Sequence, residues 1–427
     1  MSRVSRVALV AALAVAVLPV SGPVAAAITV APLKPLADVG FQPAPLPTSE
    51  CVAKFQTHCY SPAQLRSAYD LDPLHSKGIT GKGRTIVLLE AFGSPTVQHD
   101  LDVFDKQFGL PDTQVDVFKW GNVPPFDPTN DDQVGWAQET ALDVEAAHTV
   151  APGAKIVVAE TAVDQTNDGV GVPEMMSALN HLVNQGGVDA VSMSWGAREA
   201  HFPGYDLGDY TALTSLRYAF QNAVNHGATL AASSGDGGGI PNVGGFWPAS
   251  DPLVTAVGGT HLNLDDAGKR LTVDSAWIGS GGYRSKVFQR PAYQNGVKSV
   301  VGATRGTPDI SLDADPDGGL WIYTSFAPAQ TGWWPGGGTS QSAPMFAGLV
   351  TLAAQAAGHR FGVIDNDIYR LYAEHARGLV DITVGNTADT AATPESTGFD
   401  AVPGYDQATG VGTVDAAKFV ADLVHLH

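Results

Sequence analysis

The sequence is poor in cysteine, in basic residues and in long apolar runs. Two Cys among 427 residues cannot build a disulfide framework or a four-Cys zinc site. Lys and Arg number 24 against 43 Asp and Glu, a net charge of −19, and no basic cluster stands out. That excludes a binder of duplex nucleic acid or of an anionic membrane surface. Beyond the first segment no stretch reaches the ~18 uninterrupted apolar residues that a membrane span needs, so no stable membrane association is expected. Charged residues make up 16% and apolar residues 44%, a balance that excludes a disordered chain. A chain of this length can bury a large core.

What is present begins with a targeting signal. Arg3 and Arg6 precede an apolar run from Val7 to Leu18, and small residues follow up to Ala25-Ala26-Ala27. A basic start, a short apolar core and an A-x-A site are the order of a cleaved secretory signal. Residues 1–27 are therefore expected to be removed and the protein to be secreted. Cys51 and Cys59 fit that compartment as a disulfide, closing a small loop worth on the order of 2–3 kcal/mol at best. Residues 28–50, with five Pro, read as an extended linker or arm, which together with this loop makes up residues 28–59.

From residue 60 the pattern becomes regular. Ser61-Pro62 is a good helix start. Short apolar runs at 84–92, 154–160, 189–195 and 228–233 alternate with helical stretches at 97–109, 136–149, 173–185 and 209–225. Buried strands alternating with helices predict an α/β fold, a mainly parallel sheet flanked by helices on both faces. The remainder, from about 240, is richer in Gly and loops and closes with a helix at 414–425. With no convincing internal boundary, residues 60–427 read as one domain, and a monomer is expected.

Four clusters carry chemistry. In Gly336-Gly337-Gly338-Thr339-Ser340-Gln341-Ser342-Ala343-Pro344, a Gly-rich turn delivers Ser340 to the first turn of an apolar helix. There the hydroxyl is accessible and backbone N–H groups can face an oxyanion. A nucleophilic Ser needs a base, yet none of the 12 His sits in the His-Gly-Thr-x-Val-Ala-Gly setting of a subtilisin. Instead Glu139 and Asp143 stand four apart, on one helix face, in a segment (136–150) without Lys or Arg. Two buried carboxyls this close cannot both ionise cheaply, and a pair holding one proton can act as base and then acid at acidic pH. Third, Ser234-Gly235-Asp236 follows a strand end and points into the crevice above a parallel sheet. A protonated Asp236 could donate to an oxyanion. Fourth, Asp381-Ile382-Thr383 with Gly385-Asn386, then Asp400-Ala401-Val402-Pro403-Gly404-Tyr405-Asp406, offer two carboxylates and turn carbonyls of the kind calcium takes, without the EF-hand loop.

These pieces, in this order, resemble the sedolisin or serine-carboxyl peptidase family, relatives of the subtilisins in which a carboxylate pair replaces His. The resemblance covers roughly residues 60–425. It rests on Glu139-x-x-x-Asp143 running into Ala151-Pro152-Gly153-Ala154, on Ser234-Gly235-Asp236, and on Gly337 through Pro344. It implies a subtilisin-like fold with Ser340 as nucleophile, Glu139 as general base and acid, Asp143 as its partner and Asp236 as the oxyanion acid. It also implies one structural Ca2+ held by the carboxylates of Asp381 and Asp406 and the carbonyls of Ile382, Val402 and Gly404. Glu90 and Trp195 match places that extend the proton network. The family is usually made with a large N-terminal prodomain, and here only about 30 residues separate the predicted cleavage from the catalytic region. A branch lacking that prodomain is therefore expected.

The expectation is a secreted, acid-active serine-carboxyl endopeptidase acting on polypeptide substrates. Its alternatives are a tripeptidyl-peptidase of the same family, a neutral Ser-His hydrolase using His148 or another His as base, and a non-catalytic binding relative.

Overall fold

The computed structural model describes residues 39–165, 171–241 and 243–427. The signal at 1–27 and the start of the Pro-rich arm lie outside the described residues. The central sheet has eight strands: β1 (Thr85–Ala91), β2 (Val115–Trp120), β3 (Lys155–Thr161), β4 (Ala190–Met193), β5 (Thr229–Ser233), β6 (Thr255–His261), β7 (Ser275–Ala276) and β8 (Ile310–Asp313). Their order is β7-β6-β5-β4-β1-β3-β2, with β8 also pairing β6. Every pairing is parallel except that of β7 with β6.

The principal helices are α1 (Thr48–Phe55), α2 (Pro62–Ala68), α3 (Val97–Phe108), α4 (Asp131–Val150), α5 (Gly171–Gln185), α6 (Tyr218–Asn225), α7 (Gly338–Ala357), α8 (Asp365–Ala373) and α9 (Ala416–Leu426). They cover both faces, and strand periodicity explains how. Ile86 and Leu88 on β1 pack with Leu142, Val150 and Phe346 in one core cluster. Val87 and Leu89, one residue out of phase, pack with Met175, Leu179 and Phe220 in the other. A strand buried on both sides needs a continuous apolar run, which is why 84–92 was readable. The same alternation puts Glu90 on the Ile86–Leu88 face, towards α4 and α7.

Three sequence expectations need correction. Three further strands of the central sheet, β6, β7 and β8, lie in the stretch from about 240 that was read as richer in Gly and loops. The helical stretch 209–225 is broken: Thr211–Thr214 and Tyr218–Asn225 are separated by a 3₁₀ turn at Ser215–Arg217. There the hydroxyls of Thr214 and Ser215 donate to the carbonyls of Tyr210 and Ala212 at 2.9 and 3.2 Å. Such side-chain bonds offer the backbone an alternative to a regular helix. The described part of the arm is not simply extended either. It holds α1, which starts directly after Pro47, and the disulfide Cys51–Cys59 is formed. Cys59–Tyr60 then pairs in parallel with Gly319–Leu320.

Candidate active site

Helix α4 opens on an Asn130 cap, whose side chain accepts from the Gln133 N–H at 3.1 Å. From Trp136 to Val150 every residue is buried. Glu139 and Asp143 are therefore interior groups, at 2% and 0% exposure, rather than a solvated acidic face. Helix α7, apolar around most of its surface, packs against α4. Close approach is possible because a Cβ on Gly348 would stand only 2.9 Å from the Val150 side chain.

Ser340 lies in the first turn of α7 and is 1% exposed. The preceding turn is braced by the Asp313–Asp317 segment: the Gly338 N–H donates to the Ala314 carbonyl at 2.5 Å. Gln341 reaches the same segment, its Nε2 donating to the Asp313 carboxylate at 2.9 Å while its Oε1 accepts from the Leu320 N–H at 3.0 Å.

The structure brings Asp143 to this turn through a residue that sequence reading did not single out. The Ser194 hydroxyl, just beyond β4, lies 2.9 and 2.7 Å from the two Asp143 oxygens and 3.3 Å from the main-chain carbonyl of Ser340. Ser194 was visible only as the second Ser of Ser192-Met-Ser194-Trp195. Glu90 completes a row of acids. It is fully buried, and burial pushes its carboxyl up to about 7, opposed by its bond with Asp143 and aided by the neighbouring charge of Glu160. Asp143 is raised well above the usual carboxylate range, first by burial and then by the charges of Glu90 and Glu139. Trp195 donates its indole N–H to the Leu89 carbonyl at 3.0 Å, next to Glu90 on β1.

Asp236 enters from the turn after β5. One of its carboxylate oxygens accepts from both the N–H and the hydroxyl of Thr339, at 2.8 and 2.7 Å. The Thr339 hydroxyl in turn accepts from the Gly235 N–H at 3.1 Å. Burial raises the Asp236 pKa against these two bonds, which favours the neutral acid, the form able to donate. Thr339, adjacent to Ser340, is thus the link between the two turns.

His148 is not aimed at this site. It is buried, with its Nε2 3.0 Å from Asp105 on α3 and 3.1 Å from the Pro111 carbonyl.

The fourth cluster also comes together. Asp381 accepts from the Gly404 N–H at 2.8 Å and Asp406 from the Val402 N–H at 2.8 Å, so both carboxylates converge on the 402–406 turn. Among the described residues no group of three or more His, Cys, Asp or Glu is placed to hold a metal. Any cation here would rest on two carboxylates and main-chain carbonyls.

Comparison with known proteins adds four observations. A family model described as the subtilase family matches residues 129–408. Kumamolisin of Bacillus sp. (strain MN-32) is 29% identical over 86% of this chain and 64% of its own length. Sedolisin of Pseudomonas sp. (strain 101) is 28% identical over 85% and 61%. The chain therefore spans about three fifths of the length of these relatives. Among solved structures, Pseudomonas sedolisin, described as a serine-carboxyl proteinase complexed with two molecules of pseudo-iodotyrostatin, superposes with a TM-score of 0.70 and 26% identity. That match covers 86% of this chain and 98% of the other.

Proposed function

The chain belongs to the subtilase family and has its α/β fold, and from that premise we propose that it is a serine-carboxyl peptidase of the sedolisin kind. The observation that carries the proposal is the buried Asp143, with the acids Glu90 and Glu139 beside it and the Ser194 hydroxyl joining it to the Ser340 main chain. The similarity to kumamolisin and sedolisin supports the same reading.

In this mechanism Ser340 Oγ attacks the carbonyl carbon of the scissile peptide while its proton passes to the Glu139 carboxylate. The oxyanion formed accepts hydrogen bonds from the neutral Asp236 carboxyl and from backbone N–H groups. Collapse of the tetrahedral intermediate breaks the C–N bond, and Glu139 returns its proton to the leaving amine. Water then attacks the acyl-enzyme with Glu139 again as base, freeing the acid product and Ser340. Asp143, tied to the Ser340 backbone through Ser194 and backed by Glu90, keeps the pair singly protonated in the acid range. Activity is therefore expected at acidic pH, on polypeptide substrates, by internal cleavage. A map of cut sites separates endopeptidase action from release of N-terminal tripeptides. The Pro- and Ala-rich start at residues 1–38 is read as a secretory signal and arm, and secretion as a monomer is part of the proposal. Among the described residues no helix is long and apolar enough to cross a membrane.

We propose that Asp381 and the 402–406 turn hold a calcium ion. The two carboxylates hold backbone N–H groups rather than Lys or Arg, and hard oxygen donors are what the ion takes. Asp381 and Asp406, with the carbonyls of Ile382, Val402 and Gly404, would hold it, and it would neutralise the two charges.

The test is turnover of unfolded casein at acidic pH by wild type, Ser340→Ala and Glu139→Gln. Loss in both variants with unchanged melting supports the reading. Substantial turnover in Glu139→Gln removes the carboxyl base.

A further inference from the structure

The turn that carries Asp236 is clamped between two other segments. On one side the Gly238 N–H donates to the Gly279 carbonyl at 2.9 Å, and the Gly281 N–H to the Gly235 carbonyl at 2.8 Å. On the other lies the loop running from Gly385 to Asp400. The Gly239 N–H donates to the Thr387 carbonyl at 2.8 Å, and the Gly239 carbonyl accepts from the Gly398 N–H and the Ser396 hydroxyl, both at 3.0 Å. The Ser396 hydroxyl is also 3.1 Å from the Thr387 carbonyl. The Thr387 hydroxyl accepts from the Phe399 N–H at 3.0 Å, closing the loop on itself. Thr387 and Ser396 are buried, at 0% and 2% exposure.

The fit leaves no room for side chains on the turn. A Cβ on Gly238 would stand 2.4 Å from the Thr387 carbonyl oxygen and 2.7 Å from the Ser396 hydroxyl, and one on Gly239 2.5 Å from the Phe399 ring. Three successive glycines after Asp236 are the most freely moving backbone a chain can have. Left alone they would not hold a carboxyl in place, whereas a group donating to a developing charge must be held to within about 0.5 Å.

We propose that Thr387 and Ser396 are positioning residues for the reaction: through the backbone of Gly237–Gly239 they fix Asp236 against Thr339 and the oxyanion. The inference rests on the role given to Asp236 above. Both ends of the loop are anchored, the Ala276 N–H donating to the Val384 carbonyl at 2.8 Å and the Ala401 N–H to the Gly385 carbonyl at 3.0 Å. Beyond those anchors the chain runs directly into Asp381 on one side and the 402–406 turn on the other.

The experiment is a double-mutant comparison. Ser396→Ala, Thr387→Val and the conservative Thr387→Ser are made alone and with Asp236→Asn. The readouts are kcat and KM on a fluorogenic peptide and the melting temperature. Ser396→Ala and Thr387→Val are expected to lower kcat by about 10- to 100-fold with KM changed less than about two-fold. Thr387→Ser, which keeps the acceptor hydroxyl, should stay within about two-fold of wild type. In the Asp236→Asn background the same changes should have almost no further effect, because the group they position is gone. Full kcat in the single variants, even with lowered melting temperature, overturns the inference and leaves the mechanism standing. So does a loss of equal size in the Asp236→Asn background, which would mean a general structural effect. Full kcat in Asp236→Asn alone overturns both.

Discussion

Two clusters of buried carboxyls in this molecule solve the same problem in opposite ways. In the first, Arg305 and Asp309 are both fully buried and paired, with Arg305 Nη1 2.7 Å from an Asp309 oxygen. Asp309 also accepts from the Tyr369 hydroxyl at 2.9 Å and the Ala256 N–H at 2.8 Å. The guanidinium holds the charge in place and the surrounding donors satisfy it. In the second, Glu90 and Asp143 are equally buried but lean on each other and on the Ser194 hydroxyl. Lys119, on β2, pairs with Glu160 at 3.2 Å rather than with Glu90. With no Lys or Arg paired to Glu90 or Asp143 among the described residues, protons must carry the neutralisation. A pair closed by a guanidinium balances its own charge. One built on shared protons is able to exchange them, which is what a base and acid must do.

The largest expected effect lies at the proposed nucleophile. Ser340→Ala should lower kcat by a factor on the order of 10⁵ or more, with thermal melting unchanged, as read by single-turnover assays and circular dichroism. Turnover above a hundredth of wild type would remove Ser340 from the chemistry. Next, breaking the charge-held cluster should cost stability rather than activity. Arg305→Met leaves Asp309 buried without its partner and should lose about 3–5 kcal/mol in urea unfolding. Glu90→Gln, a neutral replacement in the proton-held cluster, should change stability at pH 4 by no more than about 1 kcal/mol. Equal losses in the two variants would erase the contrast.

The pH dependence of stability comes third. The folded-state pKa of Glu90 lies above its ordinary value of 4.5, at about 7. Between those values the unfolded chain has lost the proton that the native state still holds, so native stability falls as pH rises. Stability present below about pH 4.5 should decline through pH 7, by on the order of 3 kcal/mol from Glu90 alone. Asp143, raised for the same reason, adds in the same direction. Unfolding curves from pH 4 to 8 check this, and Glu90→Gln should flatten them. The smallest effect is at the 402–406 turn. Removing calcium with a chelator should lower the melting temperature by a few degrees, since an ion bound only by the native state stabilises it. Asp381→Ala should abolish the response.

How much of this was readable depended on which neighbours each residue needs. Strand β1 and helix α4 announced themselves because their burial is dictated by their own composition: an unbroken apolar run in one, acids among Ala and Leu without a cation in the other. Strand β2 did not, because it is an edge strand with Asp116 and Lys119 exposed, and its apolar pattern is correspondingly thin. Strand β6 was hidden by Gly258 and Gly259, which looked like loop residues. They are there because a Cβ on either would collide, at 2.5 Å with Ser311 on β8 or at 2.7 Å with Trp277. The link through Ser194 was beyond reach for a similar reason. Its meaning depends on the end of β4 meeting α4 and α7 at one point, segments that are 51 and 146 residues away in the chain.

The central claim is that carboxyls, not an imidazole, move the proton at Ser340. The most direct measurement is kcat/KM against pH, from 2 to 8, for wild type, Asp143→Asn and Glu139→Gln on one peptide substrate. The account predicts activity on the acid side only, a falling limb displaced by Asp143→Asn, and loss by about 10²- to 10⁴-fold in Glu139→Gln. A maximum near pH 7–8, with a limb close to the His value of about 6.5 that survives in Glu139→Gln, would contradict it.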